Sequence, residues 1–253
     1  MIRLFARGVL GAVAVGFAYL VYSCLTLPDV RPLRRANPST TAFIELRARE
    51  ARVNGRTPRR IQQWASYGRL SQDLKRAVLI AEDDAFWQHE GIDVEQLQES
   101  LQIDWARGRM VRGGSTITQQ LAKNLYLSPS RNPVRKLREL IIARRLEAEL
   151  KKSRILELYL NVIEWGDGVY GAEAAARTYF HTSAASLGPS ESAWLAAAIV
   201  SPRTMNPSHP NARLIRRQQL ILRRMGAAIP PAENVIPPAE SVIPPAENIA
   251  EVR

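Results

Sequence analysis

A single cysteine, Cys24, stands among 253 residues. It leaves no intrachain disulfide and no cysteine-based zinc site. Histidine is almost as scarce. His89, His181 and His209 lie far apart and show no metal-ligand spacing. Lysine supplies only five of the 35 basic residues, and arginine the other 30. Aromatic residues make up 7% and are not interleaved with basic ones as a nucleic-acid stacking platform requires. No convincing period-2 strand of any length is present. What the chain does have is positive charge, +11 in all. The stretch from Ala227 holds four glutamates and one arginine, a net −3, so the rest carries +14. Such a surface suits polyanions: nucleic acid, anionic lipid headgroups or a phosphorylated substrate. An apolar share of 46% excludes a wholly disordered chain. The length allows one domain of about 100–200 residues with appendages.

Residues 8–27 contain no charged side chain. Twenty helical residues rise ~30 Å, the thickness of a bilayer's hydrocarbon core. Arg3 and Arg7 precede the run, and Arg31, Arg34 and Arg35 follow it. A cleaved signal peptide has an apolar region of about 7–15 residues and a small-residue cleavage site. This run is longer and ends without one. Lipoprotein processing at Cys24 is disfavoured by the bulky Tyr22. The run therefore reads as an uncleaved single-span anchor, with residues 1–7 in the cytoplasm and the body of the protein outside the inner membrane.

Residues 28–42 read as a linker, and the prolines up to Pro58 interrupt all but a short helical pattern near Phe43–Arg52. From Ser71 the chain reads as helix after helix, 8–10 in total. Ser71 caps a helix running to Asp84. Asp93 with Gln96 opens Val94–Arg107, and Thr116 with Gln119 opens Ile117–Tyr126. Asn132-Pro133 starts a long helix to about Lys152. Ser153 starts another, followed by Gly171–Phe180, Pro189–Val200 and Ala212–Met225. The end of the chain repeats Ile-Pro-Pro-Ala-Glu from Ile229, Ile236 and Ile243. A proline pair in every repeat prevents helix and ladder alike, so residues 227–253 read as an extended or disordered arm.

Three places carry candidate chemistry. On Ile117–Tyr126 the apolar residues Ile117, Leu121 and Leu125 share one side. Thr116, Gln119, Gln120, Lys123 and Asn124 occupy the other, behind an Arg112-Gly113-Gly114-Ser115 loop. Amides suit sugars and peptides, while a lysine and a helix N-terminus suit phosphate. Glu139 stands in an apolar stripe with Ala143, Leu146 and Leu150, and Arg135 and Lys136 flank it. An inward carboxylate of this kind needs partners. Glu82-Asp83-Asp84 ends an apolar helix, and partial burial beside like charges would tune one of the three for proton transfer. His89 reads as structural.

These residues fall into motifs. Glu82-Asp-Asp-Ala-Phe86-Trp-Gln-His89-Glu-Gly91 resembles the first motif of the peptidoglycan glycosyltransferases, glycosyltransferase family 51. Gly114-Ser-Thr-Ile-Thr-Gln-Gln-Leu-Ala-Lys123-Asn124 resembles the second, and Arg135-Lys136-Leu-Arg-Glu139 the third. Ile155-Leu-Glu-Leu-Tyr159-Leu-Asn161 resembles the fourth, and the stretch from Gly168 to Phe180 the fifth. Ala85 departs from the pattern, where the family often carries arginine. The chain is most similar to monofunctional members, since none of its lysines completes a Ser-x-x-Lys. The resemblance implies a mainly α, lysozyme-like domain over residues 43–226 with a small membrane-associated jaw lobe. It implies polymerisation of lipid II by inverting transfer, forming a β-1,4 bond and releasing undecaprenyl diphosphate. Glu82 would be the general base and Glu139 a second acidic site residue. Lys123, Arg131 and Lys136 would meet the donor diphosphate, and Ser115, Thr116, Gln119, Gln120 and Asn124 would line the substrate site. Mg2+ or Mn2+ would accompany the diphosphate without a protein cage; no organic cofactor and no nucleic acid is expected. Division or cell-wall synthesis proteins are the expected protein partners. The competing readings are a lysozyme-like enzyme that cuts glycan and a non-enzymatic cell-wall scaffold.

Overall fold

The computed structural model describes residues 11, 16–18, 21–22, 25–93, 98, 114–128 and 132–226. The architecture is mainly helical. Among the described residues eight α-helices follow one another: α1 Ala42–Val53, α2 Gln72–Glu82, α3 Ile117–Tyr126, α4 Pro133–Glu149, α5 Lys152–Val162, α6 Ala172–Phe180, α7 Pro189–Ala198 and α8 Ala212–Arg224. Side-chain caps start several of them. Thr41 accepts from the Ile44 amide, Ser71 from Leu74, Thr116 from Gln119 and Asn132 from Val134. Ser153 is not a cap: α5 begins at Lys152, after an extended Lys151. The helix expected at 94–107, apart from residue 98, and the arm 227–253 lie outside the described residues, as does most of the apolar run. Phe17, Tyr22 and Leu25 of that run are helical and exposed, and Leu27 at its end packs against the core. No described helix is long and apolar enough to cross a membrane.

Two packing groups meet at the site. The α7 helix packs against α2 and α8; its run of buried alanines, Ala193 and Ala196–Ala198, lets neighbouring backbones approach closely. The α3 helix packs against α1, α4 and α5. Nearly all of α5 from Ile155 to Val162 is buried, so it forms the centre of the second group. The C-terminus of α2 faces α3 across the seam between the groups.

A small sheet, absent from the sequence-based reading, closes one end. It comprises β1 Ile61–Gln62, β2 Glu164–Gly166 and β3 Val169–Tyr170 in the order β1-β3-β2. The β1–β3 pair is parallel and the β2–β3 pair antiparallel. Strands this short cannot display a period of two, and β2 and β3 are buried throughout. The β2–β3 turn needs Gly168 at φ 72°, where a Cβ would lie 2.7 Å from the Arg59 carbonyl oxygen. Residues 28–42 are anchored rather than free. Val30 and Leu33 are buried in the core, and Arg154 donates to the carbonyls of Leu33 and Ala36 at 2.9 Å each.

Candidate active site

Glu82 is the last residue of α2, whose Leu74, Ala77 and Val78 are buried in the core. Both its carboxylate oxygens have donors. Gln120 Nε2 donates to Oε2 at 3.0 Å, and Arg217 Nη2 to Oε1 at 2.9 Å. Burial pushes the carboxyl above the ordinary glutamate range, while Gln120, Arg217 and Lys123 pull it back. The expected like-charge effect is not among the causes, because the three acids diverge. Asp83 is 2% exposed and turned toward α3. Its Oδ2 accepts from the Ile117 amide at 2.8 Å, and its Oδ1 lies 2.9 Å from His89 Nε2. His89 Nδ1 accepts from the Gly91 amide at 3.1 Å, so Nε2 carries the ring proton. Asp84 turns outward to Arg224 at 2.7 Å.

The polar side of α3 is buried. Thr116, Gln119 and Asn124 are shielded from solvent, and Gln120 and Lys123 half so. Thr116 Oγ1 and Gln119 Nε2 both donate to the Gly91 carbonyl, at 2.7 and 3.3 Å. Gln119 thus reaches Gly91 rather than completing a capping box. Tyr159 of α5 donates its hydroxyl to Gln120 Oε1 at 2.9 Å, which turns the amide nitrogen toward Glu82. Asn124 Nδ2 donates to the Gln120 carbonyl at 2.8 Å. Burial lowers the Lys123 pKa, and Arg135 and Lys136 lower it further against Glu139 and Glu82. Its ammonium hydrogen-bonds or ion-pairs with no described residue.

Glu139 lies on α4, 3% exposed in its apolar stripe. Arg135 Nη1 reaches one oxygen and Lys136 Nζ the other, each at 2.6 Å. Lys136 Nζ also donates to Gln119 Oε1 at 3.1 Å and Ser115 Oγ at 3.2 Å. One ammonium thereby joins α4 to the N-terminus of α3. The structure brings together Glu82, Ser115, Thr116, Gln119, Gln120, Lys123, Asn124, Lys136 and Glu139; Arg131 lies outside the described residues. No three His, Cys, Asp or Glu side chains among the described residues converge as metal ligands.

A cleft of about 620 Å³ opens beside this cluster, lined by Gln120, Lys123, Asn124 and Tyr159 on one side and by Arg47, Glu164 and the segment 199–204 on others. The sequence points to Tyr159 only as a motif residue and does not single out Arg217, Arg47 or Arg203. A signal for Arg217 exists. With Leu214 and Ile221 it falls on one line of α8 at i, i+3 and i+7, and a cation there calls for a carboxylate.

Two comparisons bear on this geometry. The family model described as Transglycosylase matches residues 50–226. Proteins named "Biosynthetic peptidoglycan transglycosylase" match most of the chain. That of Laribacter hongkongensis is 44% identical over 232 residues, 91% of this chain and 100% of the relative. That of Dechloromonas aromatica is 48% identical over 195 residues, 77% and 84% respectively. That of Thiobacillus denitrificans is 43% identical over 230 residues, 90% and 97%.

Proposed function

The chain belongs to the transglycosylase family, and we propose that it polymerises peptidoglycan glycan strands from lipid II. Glu82 takes the proton from the acceptor sugar's hydroxyl as that oxygen attacks the donor's anomeric carbon. The bond from this carbon to the diphosphate oxygen breaks, and undecaprenyl diphosphate leaves with the bonding electron pair. One displacement inverts the anomeric centre. The leaving diphosphate gathers negative charge, which Lys123, Lys136 and Arg131 offset.

The observation that carries this reading is the pairing of two groups across Gln120. On one side is Glu82, a shielded carboxylate held at both oxygens. On the other is Lys123, whose half-buried ammonium ion-pairs with no described residue and suits an arriving anion. Glu139 does not fit the second carboxyl of a glycan-cleaving pair, since cations occupy both its oxygens. It orders Arg135 and Lys136 instead. An Mg2+ or Mn2+ ion accompanying the substrate would be held by the diphosphate itself.

We read the helical body as the lysozyme-like lobe, with a jaw lobe toward the membrane. The protein works as a monofunctional enzyme. Residues 8–27 anchor it as a single span in the inner membrane, with the catalytic domain on the outer side, beside its lipid substrate and the cell-wall synthesis proteins it would meet. The test is to incubate the purified full chain with labelled lipid II and resolve the products. Polymer is expected from the wild type. Glu82→Gln, an isosteric change, should slow polymerisation by about 10²–10⁴-fold with the fold retained. Polymer at a tenth of the wild-type rate from that variant would overturn the base assignment, and shortening of preformed glycan would overturn the polymerase reading.

A further inference from the structure

We propose that a side cavity of the cleft is a subsite for the carboxylate-bearing peptide carried on the glycan strand, with Arg56 and Arg59 binding the carboxylate and Glu164 accepting an N–H. The proposal rests on the polymerase reading above. The cavity holds about 80 Å³ and shares Arg47, Glu164 and Arg203 with the large cleft, so a strand in the cleft passes its mouth. A water needs roughly 10–15 Å³ of such space. The cavity therefore admits a carboxylate and the short chain bearing it.

Its charges are arranged for that group. Arg47 is held between Glu50 and Glu164, and Arg203 by Asp167 at 3.2 Å. Arg56 and Arg59 also line the cavity, and neither guanidinium hydrogen-bonds or ion-pairs with a described residue. Four arginines against Glu50, Glu164 and Asp167 leave the cavity net positive. The Arg59 backbone is closely fixed: its carbonyl lies against Gly168, and the Ile61 amide donates to the Gly168 carbonyl at 2.8 Å.

Glu164 supplies the second, independent feature. It is 4% exposed. Its Oε2 accepts from Arg47 Nε at 3.1 Å, while its Oε1 is buried without a hydrogen-bond partner. A buried orphan acceptor is costly and calls for a donor. A fully ionised phosphate ester would satisfy the arginines but brings no donor for Oε1. A peptide brings both a carboxylate and an N–H at short range. Burial also pushes the Glu164 carboxyl upward, which lessens its repulsion of an entering carboxylate.

The experiment compares kcat/KM of the full chain in detergent for two lipid II substrates, one with free stem-peptide carboxylates and one with all of them amidated. The wild type is expected to prefer the free form by about tenfold, as for one charge-assisted hydrogen bond. The double variant Arg56→Gln/Arg59→Gln, changed at exposed positions, should lose that preference while keeping the wild-type rate on the amidated substrate. Equal wild-type rates on both substrates, or a preference that survives in the double variant, overturns the subsite while leaving the polymerase reading intact. Absence of polymer from either substrate overturns the polymerase reading and the subsite with it.

Discussion

At the scale of single residues, three adjacent acids have three different environments. Their backbone explains it: α2 ends at Glu82, and Asp83 takes φ −167°, ψ 79°, so successive side chains leave in different directions. Asp83 is the structural member. An amide there cannot accept both the Ile117 N–H and the His89 N–H. Asp83→Asn should cost about 1–3 kcal/mol and lower Tm by several degrees, whereas Asp84→Asn at its exposed position should stay within about 0.5 kcal/mol. Thermal melts of the two variants check this. A second residue-scale expectation concerns Tyr159. Burial raises its pKa well above the ordinary tyrosine range, so its hydroxyl stays a donor at neutral pH. Tyr159→Phe releases Gln120 to rotate and remove its N–H from Glu82. That N–H lowers the Glu82 pKa, so its loss raises it. In its proposed role as base Glu82 must be ionised to act, so the acidic limb of the pH–rate profile should move to higher pH. An unmoved limb would show that Gln120 keeps its orientation without Tyr159. The sequence places Tyr159 in a motif and Gln120 on a polar face, but says nothing of their contact, because 39 positions separate them.

At the scale of elements, α3 and α4 form the site as a pair. The apolar stripe around Glu139 is legible in sequence, and so is its need for Arg135 and Lys136, since all lie within one helical turn. That Lys136 also crosses to Gln119 and Ser115 is a property of how the two helices pack. Removing the carboxylate charge leaves two cations facing a buried neutral amide. Lys136 is partly exposed, so Glu139→Gln should cost about 2 kcal/mol, less than the 3–5 of a fully buried pair. For a chain of this size that is ~4–8 °C in Tm, measurable by calorimetry. Rescue of Tm by a further Arg135→Met change would identify the stranded cation as the cause.

At the scale of the whole molecule, the boundaries of the folded body follow from what is buried. Val30 and Leu33 belong to the core, so removing residues 1–25 should leave Tm nearly unchanged, with polymerisation retained in detergent. Removing residues 1–34 strips both side chains, each contributing about 1.5–3 kcal/mol, and should leave an unstable or insoluble product. Cutting after Gly226 removes only the proline repeat, outside the residues matched by the family model, and should leave turnover intact. Solubility, Tm and lipid II turnover of the three truncations provide the check.

The helical class, the helix starts at Ser71, Thr116 and Asn132, the inward carboxylate at Glu139 and the five ordered motifs are legible in the chain alone. Caps and amphipathic stripes are local: they depend on residues three to seven positions apart, which a single chain displays directly. Packing settles how Glu82 is held, since Arg217 comes from 135 positions away, and which neighbouring acid caps α3. It also decided the small sheet, whose strands are too short to leave a pattern, and the cavity at Glu164, whose lining comes from four separate segments. Pairings of this kind arise where helices and loops pack, and close packing selects among partners that local sequence leaves equivalent.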